Sequence, residues 1–323
     1  MIDKPVSCWV EKERLNSKIV DCLTIILRTR GCSWRKCLMC GFSISANVSE
    51  DDLKKQIDFA ISKYGVRDVV KIFTSGSFFD DREVSRGARD YVYSLVDKKL
   101  IVESRPEYVF NCDCFDLGFE LEVGIGLETS NDFIRNVCIN KGFTFEDYER
   151  AAEYLIENKA GVRTYLLLKP PFLSEKEAIE DCIQSIKDCL KYSRTISINP
   201  VYIPKNTYIE KLWKAKIYRP PWLWSAVKVL RRAFSEIKSK TNNKTNKNEV
   251  CIICDPVGAG SVRAVHNCGK CDKDISSAIR KFSISQDIKV LENLKCSCEK
   301  TWRKYVNVEN TARFNVISEL GGE

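Results

Sequence analysis

Residues 22–41, CLTIILRTRGCSWRKCLMCG, join an apolar run to three cysteines, Cys32, Cys37 and Cys40, that lie within nine residues of one another. The run at 22–28 predicts a buried strand, so the cysteines follow its carboxyl end. A redox-inert 4Fe-4S cluster normally has four cysteine ligands, whereas three thiolates leave one iron open to bind a substrate. The spacing therefore predicts a 4Fe-4S cluster with an open iron. A zinc knuckle that lacks one ligand and three unrelated thiols are the alternatives.

The predicted strand at 22–28 is the first of a series. From residue 18 to about residue 205, apolar β-rich runs alternate with amphipathic helical patterns, which is typical of βα units and a parallel sheet. Capping boxes, which satisfy free backbone donors at helix starts, predict helices at Ser49 with Asp52, Thr144 with Asp147 and Ser174 with Glu177. The six predicted strands lie at 22–28, 68–74, 100–103, 120–126, 162–168 and 195–202. We therefore expect an α/β fold, a partial (βα)6 barrel with a small cysteine-rich module after it.

Polar residues follow the later predicted strands, where a parallel barrel places its active site. The candidates for cofactor binding are Thr74, Ser75, Gly76 and Ser77 after the second strand, Glu103, Ser104 and Arg105 after the third, Glu128 after the fourth, and Met39 and Phe42 beside the cysteines. Glycine lets a backbone approach a ligand, arginine binds a carboxylate with two hydrogen bonds, and glutamate accepts them from hydroxyls. Local packing and ion pairing are the alternative roles. Substrate recognition is expected at residues 169–172 and 199–200, after the last two strands.

The chain beyond residue 205 has a different composition, and we expect three regions. Residues 1–205 hold the barrel and an N-terminal extension, 206–248 a basic and aromatic connecting segment, and 249–323 the cysteine-rich module. Eleven Lys and Arg against two Glu at 211–250 outweigh the net charge of +8 for the whole chain. This concentration indicates a polyanionic partner such as a tRNA. A solvated basic surface, with aromatic side chains that pack a domain junction, is the alternative.

The sixteen cysteines indicate metal or redox chemistry, because a chain of 323 residues without a secretory start is not expected to carry a disulfide framework. We expect a cytoplasmic protein. No run of about 18 apolar residues is present, so no membrane span is expected. The single histidine, His266, leaves little scope for histidine-based catalysis or for several histidine ligands.

A second metal site is predicted in the cysteine-rich module. A CxxC pair, Cys268 and Cys271, and a CxC pair, Cys296 and Cys298, supply four thiolates, which suit a tetrahedral zinc ion. We expect these four as the ligands, with His266 or Cys254 as the substitutes. A second iron-sulfur cluster and free thiols are the alternatives.

The motifs resemble those of the radical SAM superfamily, whose members place a three-cysteine loop after the first strand of a partial barrel. Four residues separate Cys32 from Cys37 instead of three, Met39 stands where an aromatic is usual, and residues 74–77, TSGS, replace a GGE-like motif. The sequence from about residue 20 to about residue 305 is similar to the archaeosine synthase radical SAM family, which is related to the Elongator radical domain. The cysteines of the module are the most family-specific part of this resemblance.

The resemblance implies a tRNA-modifying enzyme that cleaves S-adenosylmethionine. The substrate would be a 7-cyano-7-deazaguanine at tRNA position 15 with a lysine on its nitrile carbon, and breakage of the lysine carbon–nitrogen bond would give archaeosine. The expected partners are tRNA, a transglycosylase-like lysine ligase and an external electron donor. One alternative is another radical tRNA modification, as in Elongator, although no acetyltransferase-sized domain follows the barrel. The other is a non-catalytic iron-sulfur subunit that binds RNA.

Overall fold

The computed structural model describes residues 2–16, 18–42, 46–241 and 250–312. The strands are β1 Ser7–Leu15, β2 Lys18–Ile26, β3 Val69–Phe73, β4 Lys99–Ser104, β5 Glu120–Glu128, β6 Gly161–Leu168, β7 Thr195–Pro200 and β8 Cys251–Cys254. Their order in the sheet follows the chain from β1 to β8. The helices are α1 Glu50–Tyr64, α2 Arg86–Leu95, α3 Pro106–Val109, α4 Phe145–Glu157, α5 Glu175–Cys189, α6 Tyr208–Lys214, α7 Leu223–Thr241, α8 Asp272–Ser285, α9 Lys289–Glu292 and α10 Cys298–Ala312, with a π-helical turn at Ile134–Ile139.

Strands β2 to β7 confirm the six predicted strands, and each contains buried apolar residues. Two strands were not predicted. The first, β1, is a largely charged segment that pairs antiparallel with β2, and the second, β8, has only four residues and pairs in parallel with β7. Neither has the long apolar run by which a buried strand is recognised.

The first of two compact units contains Met1–Arg35, Phe42–Gly126 and Glu146–Arg163. In it, β2, β3, β4 and β5 pair in parallel, and Cys22, Val69 and Ile101 form an apolar cluster. Helix α1 begins at the predicted capping box, in which the Ser49 hydroxyl accepts from the Asp52 N–H and the Asp52 carboxylate accepts from the Ser49 N–H.

A network of buried ion pairs also stabilises this unit. The carboxylate of Glu13 lies 2.6 Å from the Lys71 ammonium and 3.3 Å from the Arg163 guanidinium. The Glu122 carboxylate lies 2.9 Å from the Arg163 guanidinium and 2.6 Å from the Lys99 ammonium. All five side chains are at most 10% exposed. Loss of one side chain of the network would therefore leave a buried charge without its full set of opposite charges, which lowers the stability of the fold.

Glu13→Gln is expected to lower the free energy of unfolding at pH 7 by about 3 kcal/mol. Burial raises the pKa of Glu13, but Arg163 and Lys71 outweigh it and hold that pKa at about 2. The pKa is lower in the folded chain, so this stabilisation is present above the ordinary value of 4.5 and is lost as the pH falls towards 2. Urea unfolding at pH 7 and at pH 3 measures the free energy of unfolding. The difference between the wild type and the variant should be smaller at pH 3. Asp21→Asn, which breaks an exposed pair with Lys12, serves as the control and should change little.

The second compact unit contains Lys36–Gly41, Leu127–Phe145 and Thr164–Glu323. Helix α5 begins at the predicted capping box of Ser174 and Glu177, and it packs against α7 and α10. Of the predicted connecting segment, residues 208–214 and 223–241 are the helices α6 and α7, and residues 242–248 lie outside the described residues. The predicted boundaries at residues 205 and 248 stay predictions.

Among the described residues, no helix combines the length and the apolar character that a crossing of a bilayer requires.

Candidate functional site

The first cysteine of the loop, Cys32, lies against the loop that follows β3. A Cβ added to Gly76 would come within 2.7 Å of the Cys32 Cα and 2.9 Å of its Cβ. The Cys32 backbone therefore leaves no room for any side chain at position 76. The structure brings together two of the predicted site residues, Cys32 and Gly76, which are 44 positions apart in the chain.

The loops after β3 and β4 are joined by hydrogen bonds. The Arg105 N–H donates to the Ser77 hydroxyl over 3.1 Å, and the Phe78 N–H donates to the Glu103 carbonyl over 2.8 Å. The Ser104 hydroxyl donates to the Arg105 carbonyl over 3.1 Å. These bonds confirm that predicted residues of two strand ends share one edge of the sheet.

Arg105, the predicted carboxylate clamp, has a charged partner and an aromatic neighbour. Its guanidinium pairs with Glu107 at 2.5 Å and lies 5.2 Å from the centre of the Trp34 ring. Trp34 belongs to the cysteine loop itself. A cation stacked on this ring is held in a fixed orientation, which suits planar recognition of a carboxylate.

Sequence reasoning missed Glu83, which lies between β3 and α2 and is 3% exposed. Its Oε1 accepts from the Thr29 hydroxyl at 2.7 Å and from the N–H groups of Ser75 and Gly76 at 2.9 and 3.0 Å. Its Oε2 accepts from the Ser77 N–H at 2.7 Å. Nothing in the local sequence distinguishes this glutamate from Asp80 and Asp81 beside it.

The second half of the cysteine loop belongs to the second unit. Cys37 and Cys40 are half-buried in a turn closed by a bond from the Cys40 N–H to the Cys37 carbonyl at 3.2 Å. The Leu38 N–H donates to the Ile139 carbonyl, and the Leu38 carbonyl accepts from the Ile209 N–H. The π-helical turn and α6 therefore position this half of the cysteine loop. π-Helical turns are frequent at functional sites.

Three other predicted residues have different surroundings. Met39 packs against an apolar cluster that includes Ile134 and Ile203, which was its alternative role. Phe42 is exposed. Glu128, at the end of β5, has a positive φ of 68° and pairs with Lys141 at 2.6 Å.

Lys169, in a segment expected to recognise a substrate, is fully buried directly after β6. Its ammonium lies 2.8 Å from the Glu175 carboxylate and 3.5 Å from that of Glu309 on α10. Its carbonyl accepts a bond from the Tyr218 hydroxyl at 2.6 Å. The residue therefore ties β6 to α5 and α10, and substrate recognition at residues 169–172 and 199–200 stays a prediction.

The four favoured cysteines of the C-terminal module converge, and their sulfur atoms all lie within 4.8 Å of one another. The Cys268 Sγ lies 3.9 Å from the Cys271 Sγ and 3.8 Å from the Cys296 Sγ. The Cys271 Sγ lies 3.5 Å from the Cys298 Sγ. Four ligands at the usual zinc–sulfur distance of about 2.3 Å would be about 3.8 Å apart in a tetrahedron. The thiols therefore fit a tetrahedral zinc ion.

Two neighbouring side chains donate to these sulfurs. The Trp224 indole N–H lies 3.3 Å from the Cys298 Sγ, and the Asn267 amide lies 3.4 Å from the Cys271 Sγ. Such donors stabilise thiolate ligands. The substitute ligands, His266 and Cys254, are not in the group: His266 Nδ1 bonds to the Ala264 carbonyl at 2.8 Å, and Cys254 is buried in β8.

A basic groove of about 860 Å³ lies between α5, α7 and α10. Its floor contains Val227 and Trp302, and its rim contains five cations and two carboxylates. The cations are Lys187, Lys228, Arg231, Arg232 and Arg303, and the carboxylates are Glu180 and Glu299. The structure thus brings part of the predicted basic stretch together with cations from α5 and α10.

No protein-family model matches the chain. The chain is 39% identical to Archaeosine synthase subunit beta of Methanosarcina acetivorans, over 95% of this chain and 91% of that protein. The protein of the same name from Thermococcus kodakarensis is 40% identical, over 94% of this chain and 96% of that protein.

A solved structure of queuine lyase from Clostridium spiroforme, bound to SAM and queuine, is similar at a TM-score of 0.50 and 21% identity. The match covers 76% of this chain and 94% of that one. The likeness confirms the predicted fold, the α/β half-barrel sheet of radical SAM enzymes. Because the identity to both curated relatives extends over nearly the whole chain, the protein belongs to the archaeosine synthase subunit beta family.

Proposed function

We propose that the protein is a radical SAM enzyme that cleaves the lysine carbon–nitrogen bond of a lysine-adducted 7-cyano-7-deazaguanine at tRNA position 15, giving archaeosine. The identity of 39% over 95% of the chain to a relative named Archaeosine synthase subunit beta carries this proposal. The cysteine loop supports it, because Cys32, Cys37 and Cys40 are a donor set for a cluster with an open iron.

The residues at the strand ends fit the proposed cofactors, a 4Fe-4S cluster and S-adenosylmethionine. A bound cluster would supply the electron that cleaves S-adenosylmethionine. Gly76 would let the loop after β3 lie directly against Cys32, so that a ligand bound by this loop is close to the cluster. The guanidinium of Arg105, oriented by Trp34, would bind the methionyl carboxylate, and Glu128 would accept from ribose hydroxyls. The protein would hold the lysine carbon close to the cofactor and exclude water.

The partners proposed are a tRNA, a transglycosylase-like lysine ligase and an external electron donor, in the cytoplasm. The name subunit beta of the two relatives supports a partner subunit. We also propose that Cys268, Cys271, Cys296 and Cys298 hold one zinc ion, because their spacing matches a tetrahedron.

The reaction of the reconstituted, reduced protein with tRNA that carries the lysine adduct tests the proposed function. Nucleoside analysis should show archaeosine, together with 5'-deoxyadenosine from S-adenosylmethionine. A carboxymethylated wobble uridine in place of archaeosine would support the Elongator-like reaction. Absence of S-adenosylmethionine cleavage would support a non-catalytic RNA-binding subunit.

Neutralisation of the basic groove is expected to weaken tRNA binding and flatten its salt dependence. Lys228 and Arg232 are both exposed, whereas Arg231 also bonds to the Leu291 and Glu292 carbonyls and is better left in place. In Lys228→Gln with Arg232→Gln, two lost phosphate contacts would lower the slope of log affinity against log salt by about 1 to 2. Filter binding between 50 and 200 mM salt, roughly the range over which counterion release is usually seen, measures this slope.

Lys55→Gln with Lys63→Gln, two exposed lysines of α1, is the matched control and should leave the slope unchanged. Binding should be measured with and without the partner subunit. An unchanged slope in the groove variant, with weaker assembly of the two subunits, would make the groove a protein interface and reject direct tRNA contact.

A further inference from the structure

The Glu83 carboxylate has four hydrogen-bond partners, and every one of them is a donor. Three are the consecutive N–H groups of Ser75, Gly76 and Ser77, and the fourth is the Thr29 hydroxyl. A carboxylate that accepts four bonds is suited to the ionised form, because protonation would turn one acceptor oxygen into a donor. Burial is the larger effect and leaves the pKa of Glu83 above its ordinary value, although these four bonds lower it.

The three N–H bonds also orient the carbonyls of this loop. A trans peptide is planar, so its N–H and C=O groups point in opposite directions. No described residue forms a cis peptide. The N–H groups of residues 75–77 point at Glu83, and the carbonyls of residues 74–76 consequently point away from it. With its N–H groups occupied, the loop presents acceptors, which suit an ammonium group and disfavour an anion.

Glu83 is coupled to the first cysteine by two routes. The Thr29 hydroxyl, which donates to Glu83, also accepts from the Gly31 N–H at 3.1 Å, and Gly31 directly precedes Cys32. In addition, Gly76, which donates to Glu83, packs on Cys32 with no space for a Cβ. A shift of the Glu83 carboxylate would therefore displace both the ligand loop and the cysteine.

We propose that Glu83 is a positioning residue of the S-adenosylmethionine site: it sets the carbonyls of residues 74–76 for the methionyl ammonium and, through Thr29 and Gly31, fixes Cys32 beside them. This inference rests on the proposed function and deepens it. In this proposal Glu83 need not contact the ligand itself. It acts through the backbone of the loop, so its loss should affect ligand affinity more than cluster content.

Glu83→Gln tests the proposal, because the amide nitrogen would meet N–H or O–H donors where a carboxylate oxygen accepted them. In the reconstituted enzyme, we expect the cluster to form and the dissociation constant for S-adenosylmethionine to rise at least about tenfold, the effect of losing one bond to a charged group. The spin signal of the reduced cluster should shift less when S-adenosylmethionine is added. The milder Thr29→Val removes the hydroxyl with its bonds to Glu83 and Gly31 and leaves the three N–H bonds to Glu83 in place. It should show the same change to a smaller extent and covers the case in which Glu83→Gln does not fold.

Glu13→Gln is the matched control, since Glu13 is an equally buried glutamate of the same unit without contact to these loops. It should lower stability and leave the affinity for S-adenosylmethionine unchanged. If the wild-type protein with its cluster does not bind S-adenosylmethionine, the proposed function is wrong and this inference falls with it. If the wild type binds and the Glu83 and Thr29 variants bind equally tightly, only the positioning role is overturned.

Discussion

Replacement of Cys32, Cys37 and Cys40 together with alanine is expected to abolish the 4Fe-4S cluster and all cleavage of S-adenosylmethionine. The physical reason is that three thiolates are the smallest ligand set that holds such a cluster with one open iron. Iron and sulfide content, visible absorbance and the spin signal of the reduced protein measure the loss. Zinc content should stay the same, because the four-cysteine group is separate in the chain.

Cys8→Ala with Cys112→Ala is the control for this variant. Both residues are half-buried, as are the three cysteines of the loop, and neither belongs to a predicted site. The control should retain the full cluster and its activity. A full barrel-bound cluster in the triple variant would show that other residues are the ligands.

Replacement of Cys268 and Cys271 with serine is expected to remove about one equivalent of zinc and to destabilise the C-terminal module. Structural zinc contributes folding energy directly, often about 10 kcal/mol or more in small modules. Here the metal would join the start of α8 to the start of α10, because Cys271 precedes α8 and Cys298 begins α10. Metal analysis and thermal unfolding, with and without a chelator, measure both effects.

The substitute ligands supply the control for this prediction. Cys254→Ala and His266→Gln should each leave the zinc content unchanged, since neither residue is in the four-cysteine group. Zinc that remains in the double serine variant would reject this ligand set. Iron in place of zinc in the wild-type module would instead support the second iron-sulfur cluster.

Much of the half-barrel could be predicted because its signals are local. The strands from β2 to β7 have five to nine residues and contain apolar runs, and a run of this kind is recognisable wherever its partners lie. The starts of α1 and α5 depend on bonds between residues three positions apart, at Ser49 and at Ser174. The cysteine loop is equally local, since its three thiols lie within nine residues.

Contacts between distant segments decided the rest. The sequence offered more candidate zinc ligands than a tetrahedron holds. Only the fold brings Cys268 and Cys271, at the start of α8, to Cys296 and Cys298, at the start of α10, while leaving His266 and Cys254 aside. The burial of Lys169 also depends on distant residues, because Glu175 and Glu309 offset its charge in the interior.

The sequence by itself determined the α/β class, the cysteine loop and a surplus of candidate metal ligands, because local periodicity and spacing encode them. Only the tertiary structure showed that Glu83 holds residues 75–77 and Thr29, and that Gly76 touches Cys32. A carboxylate in an acidic run has no local mark of burial. Its role follows from the donors that the fold aims at it, and those come from two strand ends that meet only when the sheet forms.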